Sequence, residues 1–450
     1  MLKKKSYLNN CANICLLILF MMCFVLIMKV SITILVEKMN IDNKVTRFIC
    51  DLPKEPKSYD VNWKKIYPFS SNIDSNNKKN IVDKYTNKIY TMESKIENSC
   101  TDNFFKYSYI AEYGNRFEKI VGWNLYRNAS GSTINIGDEY LIKLTRLIPK
   151  EELSLAPNNL INFSKYVEKK DINFLYVQVP YKLNEETKVI DNIYNDYAND
   201  NVNNFLSILK REGINVLDLR KDMPNDSINY KNMFFKTDHH WLPSSGLWAS
   251  NIISEYLNKN FQYNIDTNIF NENNYSIEIK KDCFLGSAGR AATLARAKKE
   301  DFEVIEPNFE TSLDVEVEQY KVKLQNSTWR KALINNDILN EEGNPYVIDR
   351  YASYGYSNAQ KIDIKNNKVD DNNKVLIIKD SFANCTIPYF CLGIKETLVL
   401  DLRYFNGSVK SVIEEYNPNT VIVMYNCTAI NDDDTIREGQ DSHNNFWDFE

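Results

Sequence analysis

Residues 375–385 read VLIIKDSFANC, and this stretch decides the fold. Four consecutive branched apolar residues, 375–378, predict a strand buried on both faces, the mark of a parallel sheet covered by helices. Asp380, Ser381 and Phe382 follow almost at once, and a helix is expected near 383–392. Backbone N–H groups at a helix start lack intrahelical partners and can bind a developing oxyanion. A serine held there therefore suits a nucleophile. It equally suits a helix cap, because Asp and Ser are favoured at that position. The stretch alone leaves both readings open.

The same pattern extends on either side. Strands are expected at 173–179 (NFLYVQV, stopped by Pro180), 214–219 (INVLDL), 397–400 (TLVL) and 420–424 (TVIVM). Between them lie helical patterns: 158–170, the face Val202, Phe205, Leu206 and Leu209, the run 244–257 with Trp248, Ile252 and Tyr256, and 408–416. Strands alternating with helices predict an α/β fold of flavodoxin-like type, a parallel sheet with helices on both faces. Ligands of such sheets bind beyond the carboxyl ends of the strands. Residues 261–370 break the rhythm and are expected to be an inserted, irregular β-rich excursion.

A second block, residues 233–246 (MFFKTDHHWLPSSG), holds two of the three histidines. Asp238 and Trp241 flank His239 and His240. Adjacent histidines in a loop tend to point in different directions, so a shared metal is not implied. A serine after one strand and an Asp-x-His after another can meet at one sheet edge. His240 would then take and return a proton, with Asp238 orienting its ring. Cys385 is expected to be a packed thiol, and His443 has no assigned role.

At the N-terminus, Lys3, Lys4 and Lys5 precede an apolar run over 12–28, with Lys29 near its end. About 20 residues cross a bilayer. Residues 12–36 are expected to be a single-pass anchor, with residues 1–11 cytoplasmic and the bulk of the chain outside. A cleaved signal peptide competes with this reading. Residues 37–100 read as a stalk or lead-in, 101–430 as the main domain, and 431–450 as a polar tail. Net charge is −5, from 55 basic and 60 acidic side chains, without a basic stripe, so nucleic acid is not an expected partner. Nine cysteines without a CxxC pair support neither a zinc ribbon nor a disulfide framework.

The paired motifs TDHHW (237–241) and IKDSF (378–382), with FLGSAGR (284–290), DFEVIEP (301–307) and DLRYF (401–405), resemble the DHHW protein family. That family is similar to the SGNH-hydrolase-like domains of alginate O-acetyltransferase-type proteins. The resemblance spans roughly residues 100–430. It implies a catalytic triad of Ser381, His240 and Asp238, with Trp241 in the same block. Lys379 stands where relatives have glycine, which puts the turn geometry in question. No Gly-x-Asn-Asp block is present, leaving Asn426 and Arg403 as the substitutes for oxyanion donors. Arg290 reads either as a ligand for an acyl or sugar oxygen or as an ordinary loop arginine. Lys182, in a Pro-x-Lys that relatives often carry, reads either as a substrate-side residue or as a solvated lysine, and solvation is the expectation. The implied function is serine-dependent O-acyl transfer or deacylation on a cell-surface glycan, beside a polytopic membrane acyltransferase and without a cofactor or metal. Two rivals stay open: a non-catalytic glycan-binding or assembly subunit on the same fold, and a metal-dependent phosphoesterase of the Asp-His-His type.

Overall fold

The computed structural model describes residues 115–116, 125–128, 131–149, 153, 155–184, 189–190, 194–223, 232–430 and 446–450. The expected anchor, the lead-in 37–100 and His443 lie outside these. Among the described residues no helix is long and apolar enough to cross a membrane.

Ten strands matter for the site: β1 (Asn173–Gln178), β2 (Val216–Asp218), β3 (Tyr275–Phe284), β4 (Glu300–Pro307), β5 (Leu313–Val317), β6 (Val322–Ser327), β7 (Lys361–Asn366), β8 (Lys374–Lys379), β9 (Glu396–Leu400) and β10 (Thr420–Tyr425). The main sheet has eight strands in the order β6-β5-β7-β9-β8-β10-β1-β2. The five strands expected from the apolar runs are β1, β2, β8, β9 and β10, and they pair in parallel. Side chains alternate between the two faces as the strand period requires. Leu175, Val177, Val375 and Ile377 enter one core, while Phe174, Tyr176, Leu376 and Ile378 enter the other.

Helices α1 (Leu155–Glu168), α2 (Ala198–Arg211) and α4 (Val409–Tyr416) cover the second face. The first face is covered by α3 (Pro243–Phe261) through Leu247, Ala249, Ile253 and Leu257. Trp248, Ile252 and Tyr256, the residues that marked this helix, lie on its partly buried shoulder. The helix expected near 383–392 is instead a 3₁₀ turn, Ser381–Cys385, followed by one short helical turn, Ile387–Phe390, with Pro388 at its start.

Two expectations are corrected. The sheet is mixed, because β5, β6 and β7 of the supposed excursion join its edge in antiparallel pairing. Their buried residues alternate, Val315 and Val317 on one strand, Ile362 and Ile364 on another. That period-2 pattern belongs to strands with one face in a core, so residues 261–370 build the fold and are not appended to it. The polar tail also needs revision, since Trp447 and Phe449 are buried. The Phe449 ring stacks on Phe163 at 4.2 Å, and Trp447 Nε1 donates to the Ala429 carbonyl at 2.9 Å. Each buried ring contributes about 2–3 kcal/mol, enough to hold residues 446–450 against α1.

Candidate active site

Ser381 is the first residue of the turn that follows β8. Its position is set by Asp380, the cap. One Asp380 oxygen accepts the Phe382 N–H at 2.9 Å and the other accepts the Asn426 N–H at 2.6 Å. The second bond ties the end of β8 to the end of its neighbour β10. Burial pushes the Asp380 carboxyl up, against these hydrogen bonds and the Arg403 charge. Two further donors seize the carbonyl of Phe382: Trp241 Nε1 at 2.8 Å and Tyr351 Oη at 3.1 Å.

The segment carrying Asp238 and His240 enters over an aromatic floor. Phe235 packs against both Phe284 and Phe302, with ring centroids at 4.8 and 5.5 Å, and those two rings also meet at 5.4 Å. The Asp238 carboxylate accepts only from donors: His240 Nδ1 at 2.5 Å, His240 N–H at 3.0 Å and Ser287 N–H at 2.6 Å. Burial opposes its charge, but the two neighbouring imidazoles and these bonds outweigh burial and hold the carboxyl well below the usual range. Ser287 comes this close because Gly286 lacks a side chain; a Cβ there would collide with the Asp238 backbone. His240 Nε2 lies 2.7 Å from Ser381 Oγ, and the ring stacks on Tyr351 at 3.9 Å and 9°.

The structure therefore brings Ser381, His240 and Asp238 into one hydrogen-bonded chain, from segments 141 residues apart in sequence. His240 and Asp238 are 6% and 2% exposed. His239 sits beside them, its ring 3.8 Å from that of His240 and its Nδ1 2.8 Å from Ser287 Oγ. Asp238, His239 and His240 gather three potential metal-ligand atoms within 4.8 Å. Asp238 Oδ1 and His240 Nδ1 already satisfy each other, so a cation bound there would have to break that pair.

The other candidates are placed differently. Trp241 is fully buried and holds the backbone after Ser381, which removes it from substrate contact. Asn426 is fully buried too, and its amide donates to the Pro180 carbonyl at 3.1 Å. Arg403 grips Asp401 with two bonds, at 2.9 and 2.7 Å, and Asn358 at 3.2 Å. Arg290 lies in the short helix Ser287–Ala292, donates to the carbonyls of Leu285 and Ile348, and stands 3.8 Å from Asp349. Cys385 is buried, and burial pushes its thiol well up.

Lys379 needs no glycine's freedom, since it is not among the residues with positive φ. Its ammonium turns into the core and binds Asn384 Oδ1 at 2.7 Å, the Ser357 carbonyl at 2.7 Å and Asp401 at 3.1 Å. Asp401 thus serves two cations, Lys379 and Arg403. Burial opposes its charge, and the two cations hold the carboxyl below its ordinary value.

Lys182 reverses its expectation. It is 1% exposed and donates to the backbone carbonyls of Leu141 (2.9 Å), Lys236 (3.5 Å) and Asp238. Burial pushes the ammonium down to about 8, against the pull of Asp238 and Glu300. Tyr351, Ser287 and Glu300 were not singled out from the sequence. Only FLGSAGR, which contains Ser287, carried any signal for them.

Residues 150–304 match the family model described as the SGNH hydrolase-like domain of acetyltransferase AlgX. The fold is similar to that of PatB1 from Bacillus cereus, with a TM-score of 0.55 and 21% identity, covering 70% of this chain and 98% of that one. A structure of PatB1 with a sulfonyl adduct gives 0.54 and 20%, covering 71% and 99%. A DHHW family protein from Eubacterium siraeum has a TM-score of 0.47 and 16% identity, covering 68% and 93%. No curated protein matches the chain. The chain has the SGNH-like α/β fold and resembles the acetyltransferase domains that its paired motifs suggested.

Proposed function

We propose that the chain is a serine-dependent O-acyltransferase or O-acylesterase acting on a cell-surface glycan. The single observation that carries this reading is the chain Ser381 Oγ–His240–Asp238, at 2.7 and 2.5 Å. In the first step the Ser381 hydroxyl gives its proton to His240 Nε2 while Oγ bonds to the acyl carbon of an ester. The carbonyl oxygen gains the negative charge, and the Ser381 N–H, first in its turn and without an acceptor inside it, is the donor assigned to it. The ester C–O bond then breaks, and the leaving oxygen takes the proton from the imidazolium. A glycan hydroxyl or water next gives its proton to His240 and attacks the acyl-serine, and as the Oγ–acyl bond breaks the imidazolium returns that proton to Ser381 Oγ. Asp238 keeps Nδ1–H donating, so Nε2 stays free to accept.

The acetyltransferase name of the matched domain model supports acyl transfer. The glycan acceptor and the membrane acyltransferase as donor rest on the motif resemblance. Against the rival reading of a non-catalytic subunit stands the intact Ser381–His240–Asp238 chain, and Lys379, in place of glycine, has an ordinary backbone and an inward side chain.

A sulfonyl fluoride tests the reading directly. Incubated with the full-length chain, it is expected to add one sulfonyl group, located by peptide mass to Ser381. No adduct, or an adduct on another residue, would remove Ser381 as the nucleophile. Location is part of the same proposal, because a surface glycan lies outside the membrane and three lysines precede the apolar run 12–28. A reporter that works only outside the cytoplasm, fused after Glu450, is expected to be active and to sediment with membranes. A reporter active only inside would overturn the topology.

A further inference from the structure

Lys182 and Glu300 have no part in the steps above, yet both are spent on one short stretch of backbone. Glu300 faces its amide side: Oε2 accepts the Lys236 N–H at 2.7 Å, and Oε1 accepts the Thr237 N–H at 2.7 Å and the Thr237 hydroxyl at 2.5 Å. Lys182 faces its carbonyl side, donating to Lys236 and Asp238, and reaches the Leu141 carbonyl as well. Among the described residues Lys182 forms no ion pair. A buried ammonium is costly unless it is hydrogen-bonded, and a methionine would fill the same space more cheaply. The arrangement is matched to the peptide dipoles, with an anion at the N–H ends and a cation at the C=O ends.

We propose that Lys182 and Glu300 are a positioning pair that clamps backbone 236–238 and so sets Asp238 and His240 against Ser381. The inference rests on the reading of those three residues as the reacting set. The need for a clamp follows from topology. Ser381 opens the turn that directly follows a strand of the main sheet, whereas Asp238 and His240 sit in a segment outside its ladders. Lys182 lies just beyond the end of β1, which pairs with β10, which pairs with the strand that carries Ser381. Its bonds therefore tie the histidine segment to the frame of the nucleophile, and through Leu141 to the strand Leu141–Lys143, whose Leu141 N–H also donates to the Lys236 carbonyl at 2.8 Å. Bonds to charged groups are about twice as strong as neutral ones. A misplacement of about 1 Å between reacting groups costs about 100-fold in rate.

The test uses the full-length chain with Lys182→Met, Glu300→Gln and the double variant, turning over 4-nitrophenyl acetate. Each single change is expected to lower kcat about 10- to 100-fold while KM stays within about twofold, because orientation is lost and substrate binding is not. The double variant is expected to be no worse than the worse single one, since both act on one segment. Amide exchange read by mass spectrometry supplies an arm independent of turnover. It should rise over 236–241 in both variants, stay unchanged elsewhere, and be unaffected by Ser381→Ala. Unchanged exchange over 236–241 overturns the proposal, and so does a rise spread over the whole chain, which would assign both residues to general stability. A loss carried by KM alone overturns it as well. A wild type that neither hydrolyses the ester nor takes a sulfonyl group sinks the catalytic reading instead, and the exchange arm still decides the clamp.

Discussion

Ser381→Ala is expected to lower acetyl-ester turnover by roughly 10⁶-fold and to leave the fold intact. The hydroxyl carries the whole bond-making step, and no neighbouring group replaces it. Cys385, the nearest thiol in sequence, is buried, and burial keeps it protonated. The structural cost is small. The cap of this turn is Asp380, whose bonds to Phe382 and Asn426 do not involve the Ser381 side chain. The unpaired His240 Nε2 loses one hydrogen bond, at a cost of about 1 kcal/mol. The measurement is the rate of nitrophenolate release beside a thermal melt. Turnover within tenfold of wild type would mean that the ester is cleaved elsewhere. A wild type as inactive as the variant, with glycan binding intact in both, would return the protein to the class of binding subunits.

The second large effect separates the base from the group that orients it. His240→Ala should lower the rate of acylation by about 10⁵- to 10⁶-fold, because a serine hydroxyl is a poor nucleophile without a base. Asp238→Asn should cost about 10⁴-fold. Every contact made by the Asp238 oxygens is with a donor. An amide replaces one acceptor by an NH₂. If that NH₂ faces Ser287 N–H, two donors oppose each other in a buried site. If it faces His240, the ring must place its proton on Nε2, where it can no longer accept from Ser381. The first arrangement costs about 1–3 kcal/mol of stability, and the second costs the reaction. Rates of sulfonyl labelling at Ser381 give the comparison. Equal rates in wild type and His240→Ala would remove His240 from proton transfer.

The parts of this site differ in how far the sequence exposes them. Strands β1, β8, β9 and β10 are legible because each is a run of apolar residues with β-branched side chains, and a parallel sheet buries both faces of such a run. The block at 237–241 stands out because histidine is scarce in this chain. The antiparallel strands β5, β6 and β7 at one side of the sheet are half polar, and that composition reads equally well as loop. Asn426 lies directly after β10 and Arg403 shortly after β9, and both are polar residues that suit an oxyanion. Their hydrogen bonds point into the frame, and direction is not a property that position along the chain conveys.

Periodicity is local: a few neighbouring side chains decide whether a segment buries one face or two. By itself the sequence therefore determined the alternating α/β core, the two motif blocks and the strands that carry them. The partner of a polar group is not local. Lys182 meets Asp238 across 56 residues and Ser381 meets His240 across 141. Lys182 is an exposed-looking lysine after a proline until the carbonyls of Leu141, Lys236 and Asp238 converge on it. Lys379 is a misplaced charge until Asp401 and Asn384 arrive beside it. Which charges are buried, what they hold and how the two halves of the site meet were decided by the tertiary structure alone, because burial and hydrogen bonding are set by contacts that form only when distant segments pack.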